Sequence, residues 1–418
     1  MKRLIVTALA AGLSIAAAGT VTAETTNASG HAPRYNVRQI PPGADARCEP
    51  GFHRLTYARR LNERGQAIGH DTCYVATGDP ARPFLPRGER AFRWSRASGT
   101  TALPDLVPSA LQSTFGRDIN NAGTAVGWQF LEDGGIRAPR WPLAGGVSDA
   151  LAPGSCPQFS QFITRADGIS DRGSLAASDL RVGPTGVCTI HWVLKLASGE
   201  EIVGPRGGRP SAINDRNVLV GQSSAGAVKW SPSLGEIVLV PAATDAPLYF
   251  PWAWNINERN QVVGFIDFFD DEFCPVRSEA KFWAADGTER TLPLLPGGTH
   301  AQAHGINRDA VAVGYVQLET PGCGTYDPTR WRAVSWCEDG VTDLNTRIPH
   351  AVAREFQLTF ASGIDDQGRI VARGVRRGEA KKPCPLIDFD PETGEEFYND
   401  SLLCQDEYAF LLTPVADH

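Results

Sequence analysis

Residues Ile119 to Gly127 read Ile-Asn-Asn-Ala-Gly-Thr-Ala-Val-Gly, and the same phrase returns along the chain. It stands as LNERGQAIG from Leu61, ISDRGSLAA from Ile169, INDRNVLVG from Ile213, INERNQVVG from Ile256, INRDAVAVG from Ile306 and IDDQGRIVA from Ile364. With the copy at Ile119 that makes seven, at steps of 58, 50, 44, 43, 50 and 58 residues. A register kept seven times is an internal repeat, and the unequal steps place insertions of different length between constant parts. In each copy an apolar residue ends one strand, Asn or Asp opens a tight turn, and a residue that tolerates positive φ precedes the next strand. That seat is held by Gly65, Gly123, Gly173, Asn217, Asn260 and Gly368. Ala310 is the exception and is expected to distort its turn.

A second phrase follows each first one: AFRW ending at Trp94, APRW at Trp141, TIHW at Trp192, AVKW at Trp230, AKFW at Trp283, AVSW at Trp336 and, in the last copy, AFLL at Leu412. The first six are followed by a Gly and a short apolar stretch, which makes a second hairpin. Four short strands per repeat of this length are the blade of a β-propeller. The seventh copy lacks a fourth strand after Leu412, and Tyr35 to Ile40 (YNVRQI) has the character of the missing one. The expected fold is therefore all-β: a seven-bladed β-propeller of four-stranded antiparallel blades closed by the N-terminal strand. An open solenoid of hairpins is the rival, and it leaves YNVRQI unexplained.

The phrases Gly305-Ile306-Asn307, Gln261-Val262-Val263-Gly264 and Ala409-Phe410-Leu411-Leu412-Thr413-Pro414 resemble those of the extracellular HAF-repeat proteins of bacteria. The resemblance covers about 34 to 414. It implies a repeat fold and export, and names no substrate.

Lys2 and Arg3, the apolar run from Leu4 through about Ala18, and Val21-Thr22-Ala23 read as a secretory leader cleaved near Ala23. Residues 24–33 read as a linker, 34–414 as one domain and 415–418 as a tail, in a protein that is secreted or periplasmic with no membrane span. A net charge of −7, from 40 basic and 47 acidic residues, excludes a general nucleic-acid partner. In an oxidising compartment the nine cysteines read as disulfides. Proximity pairs Cys48 with Cys73, Cys156 with Cys188, Cys274 with Cys323 and Cys384 with Cys404, and leaves Cys337 as the free thiol.

Both tight turns of a repeat fall on one face, which reads as plain. The long connections fall on the other, which reads as the binding face, stapled by the disulfides. Two residues before each anchor stand Arg59, Arg117, Asp167, Ser211, Trp254, His304 and Ser362. Four before stand Tyr57, Phe115, Arg165, Arg209, Trp252, Gln302 and Phe360. If both columns line a central channel, the four arginines and two tryptophans form a site for an anionic glycan, Arg taking carboxylate or sulfate and Trp stacking on a sugar. The bland alternative is that the aromatics are core. His304, with His300 four residues earlier, is the candidate titrating group. His304, Tyr57, Tyr315, Arg59 and Arg117 could together supply a polysaccharide-lyase set. Three functions stay open: a module binding a glycan, envelope component or protein; a polysaccharide lyase or glycosidase; and a scaffold. No cofactor is expected. The acidic run at Asp388, Asp390 and Glu392, like Asp267, Asp270, Asp271 and Glu272, reads first as solvated loop and second as calcium ligands.

Overall fold

The structure, a computed structural model, describes residues 33–43, 51, 53–79, 82–86, 89–108, 113–131, 133–152, 156, 163–182, 186–243, 248–272, 274–319, 327–338, 340–383, 386–389, 396–399 and 403–415. The leader lies outside them.

The chain is all-β. Each of the first six repeats forms an antiparallel group of four neighbouring strands in the order of the sequence. In unit 1 these are Arg54–Leu61, Ala67–Asp79, Arg90–Ser95 and Gly99–Ala102. Units 2 to 6 repeat the pattern from first strands Ser113–Ile119, Thr164–Ile169, Arg209–Ile213, Tyr249–Ile256 and Gly298–Ile306. Unit 7 is built from Phe356–Ile364, Ile370–Arg376 and Glu407–Pro414, and its fourth strand is Tyr35–Ile40, paired antiparallel from Tyr35 against Pro414 to Ile40 against Ala409.

The core lies between the units. Trp141 packs with Ile68 and Ala91 of unit 1, Trp192 and Trp230 share a cluster with Ile213 and Leu219, and Trp336 packs with Val263 and Ala303. The repeated tryptophan of the second phrase is thus a wedge between neighbours, and all six are buried. The last unit packs on the first in the same way, Val371, Ala409 and Leu411 meeting Ala58, Phe92 and Trp94.

The repeated Asn does more than open a turn. The side-chain oxygen of Asn257 accepts from the backbone N–H of Arg259 and Gln261 at 3.0 Å each, and its amide donates to the carbonyl of Asn307 in the next unit at 2.9 Å. Asn62, Asn120, Asn214 and Asn307 donate in the same way to Asn120, Ser170, Asn257 and Asp365 at 2.8, 3.2, 3.1 and 3.3 Å. Only a side chain carrying both an acceptor and a donor can serve its own turn and its neighbour's. Asp365 has no amide; Arg369, ion-paired to it at 2.6 Å, donates instead to the carbonyl of Glu63 at 2.7 Å, so unit 7 is tied to unit 1. Ser170 has no amide either, and at that junction Arg172 N–H bonds Asp215 at 3.2 Å.

Ala310 corrects one expectation. Its φ is 61°, and its N–H donates to the Asn307 carbonyl at 3.1 Å, as Gly65 does to Asn62 at 2.9 Å. The turn is kept and Ala310 bears the left-handed backbone. Ala310→Gly is expected to stabilise by about 1 kcal/mol, read as a higher midpoint in urea with an unchanged slope. A lower midpoint would contradict this.

Cys156 and Cys188 form a disulfide, and Cys337 is free and half-buried. Cys73, Cys274 and Cys404 are each disulfide-bonded; Cys48, Cys323 and Cys384 lie outside the described residues.

Candidate functional site

Every first strand carries a β-bulge at the same place. The register shifts between Ala58 and Arg60, Gly116 and Asp118, Ala166 and Gly168, Pro210 and Ala212, Ala253 and Asn255, Ala303 and Gly305, and Ala361 and Gly363. The residue left over in each is Arg59, Arg117, Asp167, Ser211, Trp254, His304 or Ser362, the column two before the anchor. A bulge re-aims its side chain. It also explains the Val-Gly that ends most repeats. A Cβ on Gly69, Gly127, Gly264 or Gly314 would stand 1.8 to 1.9 Å from the carbonyl oxygen of Tyr57, Phe115, Trp252 or Gln302.

These columns converge. The guanidinium of Arg59 in unit 1 lies 5.3 Å from the ring centre of Trp254 in unit 5, and Arg60 donates to the carbonyls of His304 in unit 6 and Ser362 in unit 7 at 2.7 and 2.9 Å. Arg117 pairs with Asp167 at 3.0 Å, both buried. Arg117 and Arg165 lie 5.9 and 5.4 Å from the ring centre of Trp128, and Arg209 lies 5.6 Å from that of Trp252. Trp254 meets His304 at 4.8 Å between ring centres, and His304 meets Phe360 at 4.6 Å. All seven residues named as the binding set, Arg59, Arg117, Arg165, Arg209, Trp252, Trp254 and His304, thus belong to one connected cluster. Tyr57 borders it under Arg373, 5.1 Å away, and Tyr315 stacks on Phe360 at 5.3 Å.

Of the column directly opposite, on the second strands, the sequence reading named only Tyr315. His70, Trp128, Phe265, Tyr315 and Arg373 pair in register with Tyr57, Phe115, Trp252, Gln302 and Phe360. Their signal was the residue after each Val-Gly position. Arg373 adds a guanidinium 4.6 Å from the Phe360 ring centre, paired with Glu407 at 3.2 Å.

Burial dominates the electrostatics. It lowers Arg59 to about 10, assisted by the like charges of Arg60 and Arg209, which still leaves it protonated at neutral pH. Burial first, then Arg59, Arg60 and Arg373, holds His304 well below the usual imidazole range. His304 is therefore neutral near pH 7, contrary to its expected role as a titrating group. His70 is pushed down to about 3 by burial and by Arg59, Arg117 and Arg373. It stays neutral when folded and protonates when unfolded below about 6.5, so the stability it contributes above that pH is lost as the pH falls toward 3. The stability gap between the native protein and His70→Gln should shrink by about 1.4 kcal/mol per pH unit below 6.5. Urea titrations at pH 7, 6, 5 and 4 measure it, and a constant gap would refute it.

The face expected to be plain holds a cavity of about 220 Å³ lined by all seven units, among them Glu63, Asn121, Asp171, Asp215, Glu258, Arg308 and Asp366. These residues link neighbouring units. Glu63 N–H donates to Asn121 at 2.7 Å, Asp215 N–H to Glu258 at 3.0 Å, Arg308 N–H to Asp366 at 2.7 Å and Asp366 N–H to Glu63 at 2.9 Å.

The calcium alternative finds other work for Asp267, which accepts from Ser278 Oγ and from Gln302 Nε2, the latter at 2.9 Å, and for Asp270, which accepts the N–H of Glu272 and Cys274 at 3.0 and 2.9 Å. Asp390, Glu392 and the side chain of Asp388 lie outside the described residues. Among the described residues no group of three or more His, Cys, Asp or Glu is placed to hold a metal ion.

No protein-family model matches the chain, and no curated protein matches it. Among solved structures it is similar to a streptogramin B lyase at 12% identity, covering 81% of this chain and 94% of that one, with a TM-score of 0.39. It is also similar to the β-propeller domain of the trilobed protease from Pyrococcus furiosus, whose topology is described as an open velcro, at 11% identity over 87% of this chain and 96% of that one, with a TM-score of 0.34.

Proposed function

We propose that the protein is an exported seven-bladed β-propeller of the HAF-repeat kind, its last blade completed by Tyr35–Ile40, and that it binds an anionic glycan or envelope component at the arginine-lined end of its channel. The fold reading rests on the seven four-strand groups and on the packing of unit 7 against unit 1. Export accords with the Cys156–Cys188 disulfide. No described helix is long and apolar enough to cross a membrane.

The observation that carries the binding reading is an excess of desolvated cations. Arg59, Arg117 and Arg165 share Asp167 as the carboxylate in their midst, and Arg209 adds a fourth guanidinium whose charge all three feel. The guanidiniums of Arg59 and Arg209 make no hydrogen bond or ion pair among the described residues. Gathering like charges away from water is costly unless an anion joins them, and guanidinium forks match carboxylate. The aromatic faces beside them offer sugar rings a stacking surface. Neutral His304, whose proton affinity the arginines depress, supports binding over the lyase alternative.

The test is to titrate the purified, oxidised protein with polygalacturonate, alginate and neutral dextran, following binding together with new unsaturated or reducing ends. Binding of the acidic polymers alone, without products, is expected. Equal affinity for dextran would overturn the reading, and products would move it to the lyase.

A further inference from the structure

Several buried polar atoms in and beside the arginine cluster have no partner. Arg165 Nε and Trp128 Nε1 are donors, and Asp167 Oδ2 is an acceptor. The fourth, His304 Nδ1, has its character set by a chain of contacts. Ser278 Oγ donates to Asp267, and Gln302 Nε2 donates to both oxygens of that carboxylate at 2.9 and 3.1 Å. With both Asp267 oxygens accepting from the Gln302 nitrogen, the amide turns its oxygen toward His304 Nε2, 3.2 Å away. Nε2 must then carry the proton, and the buried Nδ1 is left as a bare lone pair. Arg59 joins the two unsatisfied acceptors: it lies over Trp254, which touches His304, and feels the charge of Asp167.

A simple anion would satisfy the guanidiniums but would face two lone pairs with nothing to donate. We infer that the ligand is a hydroxylated carboxylate, a sugar-acid residue whose carboxylate meets the arginines while its hydroxyls donate to His304 Nδ1 and Asp167 Oδ2. This rests on the proposed anion site and names its ligand class. Leaving buried acceptors unpaired is what lets such a site reject an analogue that lacks hydroxyls. His304 is then the residue that reads hydroxyls, and Asp267 positions it through Gln302.

The probes are glucuronate, galacturonate and cyclohexanecarboxylate, which share ring size and charge and differ in hydroxyls, titrated at pH 7 into the native protein, His304→Phe and Asp267→Asn. At least a tenfold preference for one uronate over cyclohexanecarboxylate is expected, and His304→Phe, which keeps a ring among Trp254, Phe265 and Phe360, should abolish it without changing affinity for cyclohexanecarboxylate. Asp267→Asn should allow the Gln302 amide to turn and move the imidazole proton to Nδ1, read directly as exchanged ¹⁵N shifts of the His304 ring. Equal binding of all three acids by the native protein would overturn the inference while leaving the anion site standing. Failure of these acids and of the acidic polymers alike would overturn both. Should His304→Phe not fold, a native ¹⁵N spectrum with the proton on Nδ1 overturns the inference, and one with it on Nε2, together with the uronate preference, upholds it.

Discussion

Replacing Arg59 and Arg209 together by glutamine is expected to weaken binding of an acidic polysaccharide about a hundredfold. Hydrogen bonds to charged groups contribute about 1.5–3 kcal/mol each, and two losses at the lower end already reach that factor. The same double variant should melt no lower than the native protein. Neither guanidinium has an ion pair among the described residues, and each lies close enough to other arginines to be repelled, Arg59 by Arg60 and Arg209. A site that holds cations for a ligand trades stability for function in this way. Isothermal titration and thermal melts measure the two halves. Unchanged affinity would remove these arginines from the site, whereas a large fall in melting temperature would make them structural.

Asn257→Ala is expected to cost about 3 kcal/mol. The substitution strips a buried side chain of its bonds to Arg259, Gln261 and Asn307, leaving the buried Asn307 carbonyl unpaired at about 1–3 kcal/mol and two part-buried turn N–H groups at about 1 kcal/mol each. Asn257→Asp should cost less, since a carboxylate keeps the two bonds from the turn N–H groups and loses the amide's donations to the Gln261 side chain and to the next unit. The comparison separates the turn from the stitch, and equal losses in urea titrations would show that the link between units contributes nothing. Ser170 is the natural departure that no neighbouring side chain among the described residues replaces as Arg369 does for Asp365, so Ser170→Asn is a conservative route to strengthening the third junction.

Much of this was legible before any coordinates because the repeat supplies its own alignment. Seven copies placed Arg59 beside Arg117 and Trp254 beside His304 as members of one column, although they are far apart in sequence, and the structure joins them. The turn chemistry was half read. Asn257 looked like a cap, and nothing within one copy shows that its amide reaches Asn307. Gly127 and its counterparts were seen only as part of the repeated phrase, and the reason for them is a carbonyl pressed against the Cα by the neighbouring bulge, which forbids a side chain there. The residue after that glycine was aligned in neither column, and so His70, Trp128 and Arg373 were passed over; their variation in an otherwise constant frame was the sign to follow. Protonation was the least legible property, because His304 is governed by Arg59 and Arg373, which only folding brings near it. The face judged plain from its short turns carries carboxylates that bind the units to one another, a role visible only once neighbours are known.

Pairing Tyr35–Ile40 with Glu407–Pro414 makes the earliest strand wait for the latest. Almost every described residue lies between the partners, so the contact spans most of the chain and its closure entropy is met only when the rest is assembled. A chain emerging N-terminus first must carry YNVRQI unpaired throughout. That strand suits the wait: Asn36, Arg38 and Gln39 remain exposed even in the finished protein, and such a polar edge is a poor template for aggregation. Unit 7 therefore gains its fourth strand late in folding. Dilute refolding should favour a chain's own strand, whereas crowded refolding would let one molecule lend its first strand to another.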